Sequence, residues 1–214
     1  LAYCRKTKET MIAVLSPAKA LDFETAPITK NYTLPDNLEA SEKLIKKLRT
    51  LSRKKLSELM KISDNLANLN YTRYQDWSTD FELGPDAKQA ALAFNGEVYT
   101  GLAAETYSED DLAYAQDHLR ILSGLHGILR PLDLIHPYRL EMGTRLPVGR
   151  KKNLYDFWGN TQVDALNELL ANEQEKVLVN LASNEYFKSV KADKLKGEVL
   201  DFDFKDRTKN GDYK

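Results

Sequence analysis

Between Ser41 and Lys61 the chain sets eight basic residues, Lys43, Lys46, Lys47, Arg49, Arg53, Lys54, Lys55 and Lys61, against two acids, Glu42 and Glu58. Cations at this density suit phosphate oxygens, which they hold by charge-assisted hydrogen bonds. A solvated helix face accounts for the same composition. On a helical wheel Lys43, Lys46 and Arg53 lie roughly opposite the Leu44/Leu48 stripe, with Lys54 nearby, giving a positive face open to water. If Ser52 caps a second helix, Arg53, Lys54 and Lys55 fill its first turn. Cations there oppose the helix dipole by about 0.3–1 kcal/mol each, and a bound phosphate reverses the penalty.

Leu56 to Ala67 then follows the spacing of a helix-hairpin-helix: apolar residues, a tight turn around an apolar residue, and Ala in the second helix. The turn positions that usually hold Gly, so that backbone N–H groups reach phosphate, are here Lys61 and Ser63. A helical hairpin that only packs fits the pattern too. The DNA-facing set expected from this region is Lys43, Lys46, Lys47, Arg53, Lys54, Lys55, Lys61, Ser63, Asn65 and Arg73.

A second group stands where strands are expected to end. Ser16-Pro17-Ala18-Lys19, with Asp22 close by, follows one apolar run, and Asn184 and Glu185 follow another. Ligands of open α/β sheets gather at the carboxyl ends of strands. Lys19, Asp22, Asn184 and Glu185 are therefore the candidate acid–base set, for an enzyme acting on a nucleotide or damaged base. No complete triad or glycine-rich phosphate loop accompanies them. Ser16, Arg130 and Arg139 are anion-binding candidates, the two arginines being held in segments stiffened by Pro131 and Pro137. An internal pair of Arg130 with Asp133 is the alternative. His118, His126 and His136 are spaced by eight and ten residues and match no common zinc pattern, so neither metal nor cofactor is expected.

The elements that must position these residues read as follows. Met11–Leu15 is a short buried strand ending at Ser16-Pro17, and Thr25 to Leu38, with Pro27 and Pro35, is a loop. From about Ala40 the stripe Leu44, Ile45, Leu48 and Leu51 predicts a helix, and Asp64 to Tyr74 a further one. Ala90 to Phe94 reads as a strand leading into Asn95-Gly96. Ser108 caps a helix whose acidic first turn is Glu109, Asp110 and Asp111, and whose apolar face runs through Leu112, Ala115, Leu119 and Leu122. Asn160 to Asn172 is another helix, Lys176 to Ala182 a buried strand, Ser183 a cap, and Glu198 to Tyr213 a hairpin turning at Asn210-Gly211. The whole is a mixed α/β fold in a single domain.

The 214 residues are 42% hydrophobic and 29% charged with a formal net charge of −1, so nucleic-acid binding must come from a local patch. Cys4 is the only cysteine, which excludes an intrachain disulfide and fits a reducing, cytoplasmic setting. No window reaches the roughly 18 apolar residues that span a bilayer, so no membrane partner is expected. Leu1–Thr10 is polar and basic and reads as an upstream extension of a domain spanning residues 11–214.

Several strings, in order, carry a resemblance: Leu15-Ser16-Pro17-Ala18-Lys19; Phe94-Asn95-Gly96-Glu97-Val98-Tyr99; Leu122 through Ile135, containing Ser123-Gly124-Leu125-His126-Gly127; Pro137-Tyr138-Arg139-Leu140-Glu141-Met142-Gly143; Leu154-Tyr155-Asp156-Phe157-Trp158; and Asn180 through Phe187. With them the chain resembles the YaaA family of peroxide-stress proteins. The resemblance implies a central sheet wrapped by helices, described as the cantaloupe fold, with a positively charged DNA-binding cleft. It also implies a helix-hairpin-helix mapping onto Leu56 to Tyr74, and a role in limiting iron-driven oxidative damage to DNA and proteins. Its partner is then DNA, held mainly by the phosphate backbone. Family members continue beyond Tyr213-Lys214, so the resemblance implies that the last part of the fold lies past this sequence.

Overall fold

The computed structural model describes residues 11–202. Leu1–Thr10 and the expected turn at Asn210-Gly211 lie outside them. Five strands form the central sheet: β1 (Ile12–Leu15), β5 (Leu119–Ser123), β6 (Gly127–Leu129), β8 (Val177–Asn180) and β9 (Glu198–Asp201), in the order β6-β5-β1-β8-β9. β5, β1, β8 and β9 run parallel, and β6 is antiparallel to β5. The protein is thus a mixed α/β single domain. All five residues of β5 are buried, as expected of a strand covered on both faces.

Two two-stranded ladders brace the loops. β2 (Ala20–Leu21) pairs antiparallel with β4 (Phe94–Asn95), and β3 (Lys88–Gln89) pairs antiparallel with β7 (Leu134–Ile135). The helices are α1 (Leu38–Arg49), α2 (Arg53–Met60), α3 (Asp64–Asp76), α4 (Ala90–Ala93), α5 (Glu97–Leu102), α6 (Glu109–His118), α7 (Leu154–Trp158), α8 (Thr161–Ala171) and α9 (Asn184–Phe187). The α1 stripe Leu44, Ile45 and Leu48 is fully buried and joins a core with Ile12, Ile121, Leu122, Leu166 and Leu178. None of the described helices is long and apolar enough to cross a membrane.

Two expected elements change identity. Ala90–Ala93 is a turn of helix and only Phe94–Asn95 is extended. Four small apolar residues carry no β-branch to favour a strand. The Ser108-capped helix stops at His118, so Leu119 and Leu122 belong to β5. Their spacing fits a helical stripe, yet the run Leu119-Arg120-Ile121-Leu122 also fits a buried strand, and periodicity cannot separate the two. The capping box itself is present: Ser108 Oγ accepts from Asp111 N, and the Asp111 carboxylate accepts from Ser108 N. Glu198–Asp201 is extended, as expected, and pairs parallel with β8, while the rest of the expected hairpin lies outside the described residues.

Candidate functional site: a groove between two basic segments

The hairpin of α2 and α3 is built from local capping. Ser52 Oγ accepts from Lys55 N and starts α2, while Ser63 Oγ accepts from Leu66 N and starts α3. Lys61 between them adopts the left-handed conformation (φ 52°) that usually falls to glycine or asparagine. Leu56 and Ala67 are buried, turning the polar faces outward. The first turn of α2 holds no acid, and Arg53, Lys54 and Lys55 are all exposed there. Arg53 stacks 4.1 Å over the Tyr71 ring, which fixes its position without neutralising it.

Not every cation of the run is available. Lys46 pairs with Glu42 at 3.0 Å. Arg49 turns inward and donates to the carbonyls of Tyr74 (2.7 Å), Gln75 (3.0 Å) and Trp77, holding the end of α3 against α1. Among the described residues Lys43, Lys47, Lys54, Lys55 and Lys61 make no ion pair. Ser63 and Asn65 are exposed at the start of α3. Arg73 is half-buried and faces a different cavity, one that also holds Asp76 and Asp80.

A second basic segment, absent from the expected set, stands beside this hairpin. Leu146 is fully buried and Pro147 follows it, and both close a groove of about 360 Å3 whose other walls are Lys47, Leu51, Lys55, Glu58 and Leu59. On this segment Arg145, Arg150, Lys151 and Lys152 are exposed and, among the described residues, form no ion pair. A tight turn exposes them: Val148 and Lys151 exchange both backbone hydrogen bonds at 3.0 Å around Gly149, whose φ of +58° needs no Cβ. The run Gly149-Arg150-Lys151-Lys152 is visible in sequence as a charge cluster, but only packing sets the Leu146-Pro147 stretch that precedes it against α2.

The strand ends gather a different set. Ser183 N donates to Ser16 Oγ (2.9 Å), and Ser16 Oγ lies 3.2 Å from Ser183 Oγ, so Ser183 ties β8 to β1 instead of capping α9 with its side chain. Lys19 and Arg139 converge on one acceptor, Glu141 Oε1, at 3.5 and 2.8 Å. Glu185 Oε1 accepts from Gly143 N at 2.7 Å, in a contact a Cβ at residue 143 would crowd to 2.9 Å. Asp22 points elsewhere. It lies 3.4 Å from the buried Lys88, and hydrogen bonds from Thr25 and Glu24 hold its carboxyl down at about 2. Asn184 is exposed. The four candidate acid–base residues therefore do not form one set, and the cavity lined by Lys19, Arg139, Glu141 and Tyr186 measures only about 20 Å3.

Arg130 is spent inside the fold: it pairs with Asp133 (2.9 Å) and Asp36 (3.2 Å) and donates to the Leu34 carbonyl. Arg139 is matched by Glu141 in the same way.

The model of a protein family described as peroxide stress protein YaaA matches residues 11–214. A relative described as a UPF0246 protein, from Cellvibrio japonicus (strain Ueda107), is 56% identical over 204 residues, which is 95% of this chain and 78% of the relative.

Proposed function

The chain belongs to the peroxide stress protein YaaA family, and we propose that it serves the peroxide response by binding DNA through the basic surface around the groove between α1–α2 and Leu146–Pro147. The observation that carries this reading is the meeting of two basic segments about ninety residues apart: Lys47 and Lys55 line a groove that Leu146 and Pro147 close, and the exposed Arg145, Arg150, Lys151 and Lys152 flank those two residues along the chain. Cations left without carboxylate partners are stabilised by a polyanion. In a chain with a net charge of −1, two such basic segments supply the local field that the overall composition lacks. Backbone N–H groups at the start of α3 and the Ser63 hydroxyl add neutral donors to phosphate.

The contacts fall on phosphates, so binding is strong but reads little sequence. Bound protein covers DNA where iron-generated oxidants do damage, and the reading places the protein in the cytoplasm beside the chromosome. Fluorescence anisotropy on duplex DNA across a salt series tests it. With about five phosphates neutralised, affinity falls on the order of several hundredfold between about 50 and 200 mM salt. A Lys54→Glu/Lys55→Glu/Lys61→Glu variant and an Arg150→Glu/Lys151→Glu variant each weaken binding and flatten the slope. Binding that ignores salt, or that both variants leave intact, refutes the groove as the DNA site.

A further inference from the structure

A cavity of about 310 Å3 opens between β6, at the edge of the described sheet, and α8, and a buried cation stands in its wall. Arg120 of β5 is 8% exposed, and no carboxylate among the described residues lies within ion-pair distance of it. Two carboxylates of the same wall, Asp133 and Asp36, are already held by Arg130, at 2.9 and 3.2 Å. The third, Glu168, is exposed and unpaired. Burial, and after it the neighbouring Arg130, pulls the Arg120 guanidinium below its ordinary range, while Asp133, Asp117 and Asp36 oppose that pull from beyond ion-pair reach.

This guanidinium is only half used. Nη1 donates to the carbonyls of Gln116 and Leu119, both at 2.7 Å, and to that of Asp117 at 3.5 Å, closing the end of α6. Nε and Nη2 donate to nothing among the described residues, and neither is sealed from solvent. Their N–H groups point the same way and form the side fork of the guanidinium, which matches the two oxygens of a carboxylate. Capping α6 uses Nη1 alone and leaves the fork unexplained. Cations this deep in a fold are rare without a partner.

We infer that the cavity binds a small monocarboxylate with an apolar chain, its carboxylate on the Nε–Nη2 fork of Arg120 and its chain against Ile128, Leu129, Ala165 and Leu169. One negative charge neutralises the one unpaired cation. A phosphate dianion would carry its second charge toward Asp36, Asp133 and Glu168, and a cation would meet Arg120. Four apolar side chains in the same wall favour a hydrocarbon body, and the volume stands at the lower end of small-molecule sites. The cavity shares no lining residue with the basic groove, so its failure leaves the DNA reading untouched.

Isothermal titration of the full chain with isocaproate, with the neutral isocaproamide and with inorganic phosphate tests the assignment at one low ionic strength. Isocaproate binds saturably, and the amide and phosphate each bind about tenfold more weakly or worse. Arg120→Lys keeps the charge but loses the fork, and weakens isocaproate about 10- to 30-fold. Glu168→Gln removes an exposed like charge from the wall and tightens isocaproate about two- to threefold, an effect that fades in salt. Circular dichroism verifies that each variant is folded, and if Arg120→Lys does not fold, the response to Glu168→Gln decides. The amide binding as tightly as isocaproate, phosphate binding more tightly, or no saturable heat at millimolar isocaproate overturns the proposal. So does isocaproate affinity that a folded Arg120→Lys variant leaves unchanged or that Glu168→Gln does not raise.

Discussion

His126 is fully buried. His126 Nδ1 lies 3.0 Å from Ser41 Oγ, and Nε2 has no partner among the described residues. Burial, with the nearby His136 adding to it, lowers the imidazole from the usual 6.5 to about 3. The unfolded chain therefore binds a proton that the folded chain refuses. Stability from this residue is complete above pH 6.5 and is lost as pH falls from there toward 3, by up to about 1.4 kcal/mol per pH unit. Urea midpoints measured through that window show the slope, and a His126→Leu variant, whatever its own stability, shows less of it. This residue was read from sequence only as a poor zinc ligand. Its burial depends on α1 and Trp77 packing over it, partners about eighty-five and fifty residues away.

At the scale of elements, the turn between β5 and β6 shows how tightly backbone and side chains are fitted. Gly127 has φ +74°, and a Cβ there would come within 2.8 Å of the Trp158 ring, whose Nε1 donates to the Gly124 carbonyl. A Gly127→Ala variant meets both the left-handed penalty and an unyielding ring, and loses about 2–4 kcal/mol in thermal or urea unfolding. Capping marks several helix starts: Ser52, Ser63 and Ser108 all stand at the positions their type suggests. Ser183 stands there too, but its side chain serves the neighbouring strand, because β1 ends beside it with Ser16. Local chemistry offers a cap, and tertiary neighbours decide whether it is used.

Across the whole molecule the sheet sets a gradient of protection. β5 is buried along its length and paired on both sides, whereas β9 stands at the edge of the described sheet with three of its four residues exposed. Hydrogen exchange should therefore be slowest in β5 and β1 and fastest, among the strands, in β9. Rates equal in β5 and β9 would mean that the sheet opens only as one unit. Charge is distributed as unevenly as protection. Unpaired Lys47 and Lys55 line the groove at Leu146, and unpaired Asp76, Asp80, Glu82 and Asp86 line the cavity at the end of α3, while the chain as a whole is nearly neutral.

The amino-acid order by itself determined the fold class, the basic hairpin and several helix starts, because composition, apolar period and capping are properties of neighbours along the chain. It also carried the family, through short strings spread from Leu15 to Phe187. Tertiary structure alone decided which charges remain free. Arg49 looks as available in sequence as Lys55 or Arg150, yet it is spent on the Tyr74, Gln75 and Trp77 carbonyls, whereas Arg130 and Arg139 are matched by Asp133 and Glu141 nearby in the chain. The same packing parted Asp22 from Glu185 and brought Leu146 and Pro147 beside α2. Whether a charge is matched depends on groups within about 4 Å in space, and for Arg49 those groups are distant in sequence.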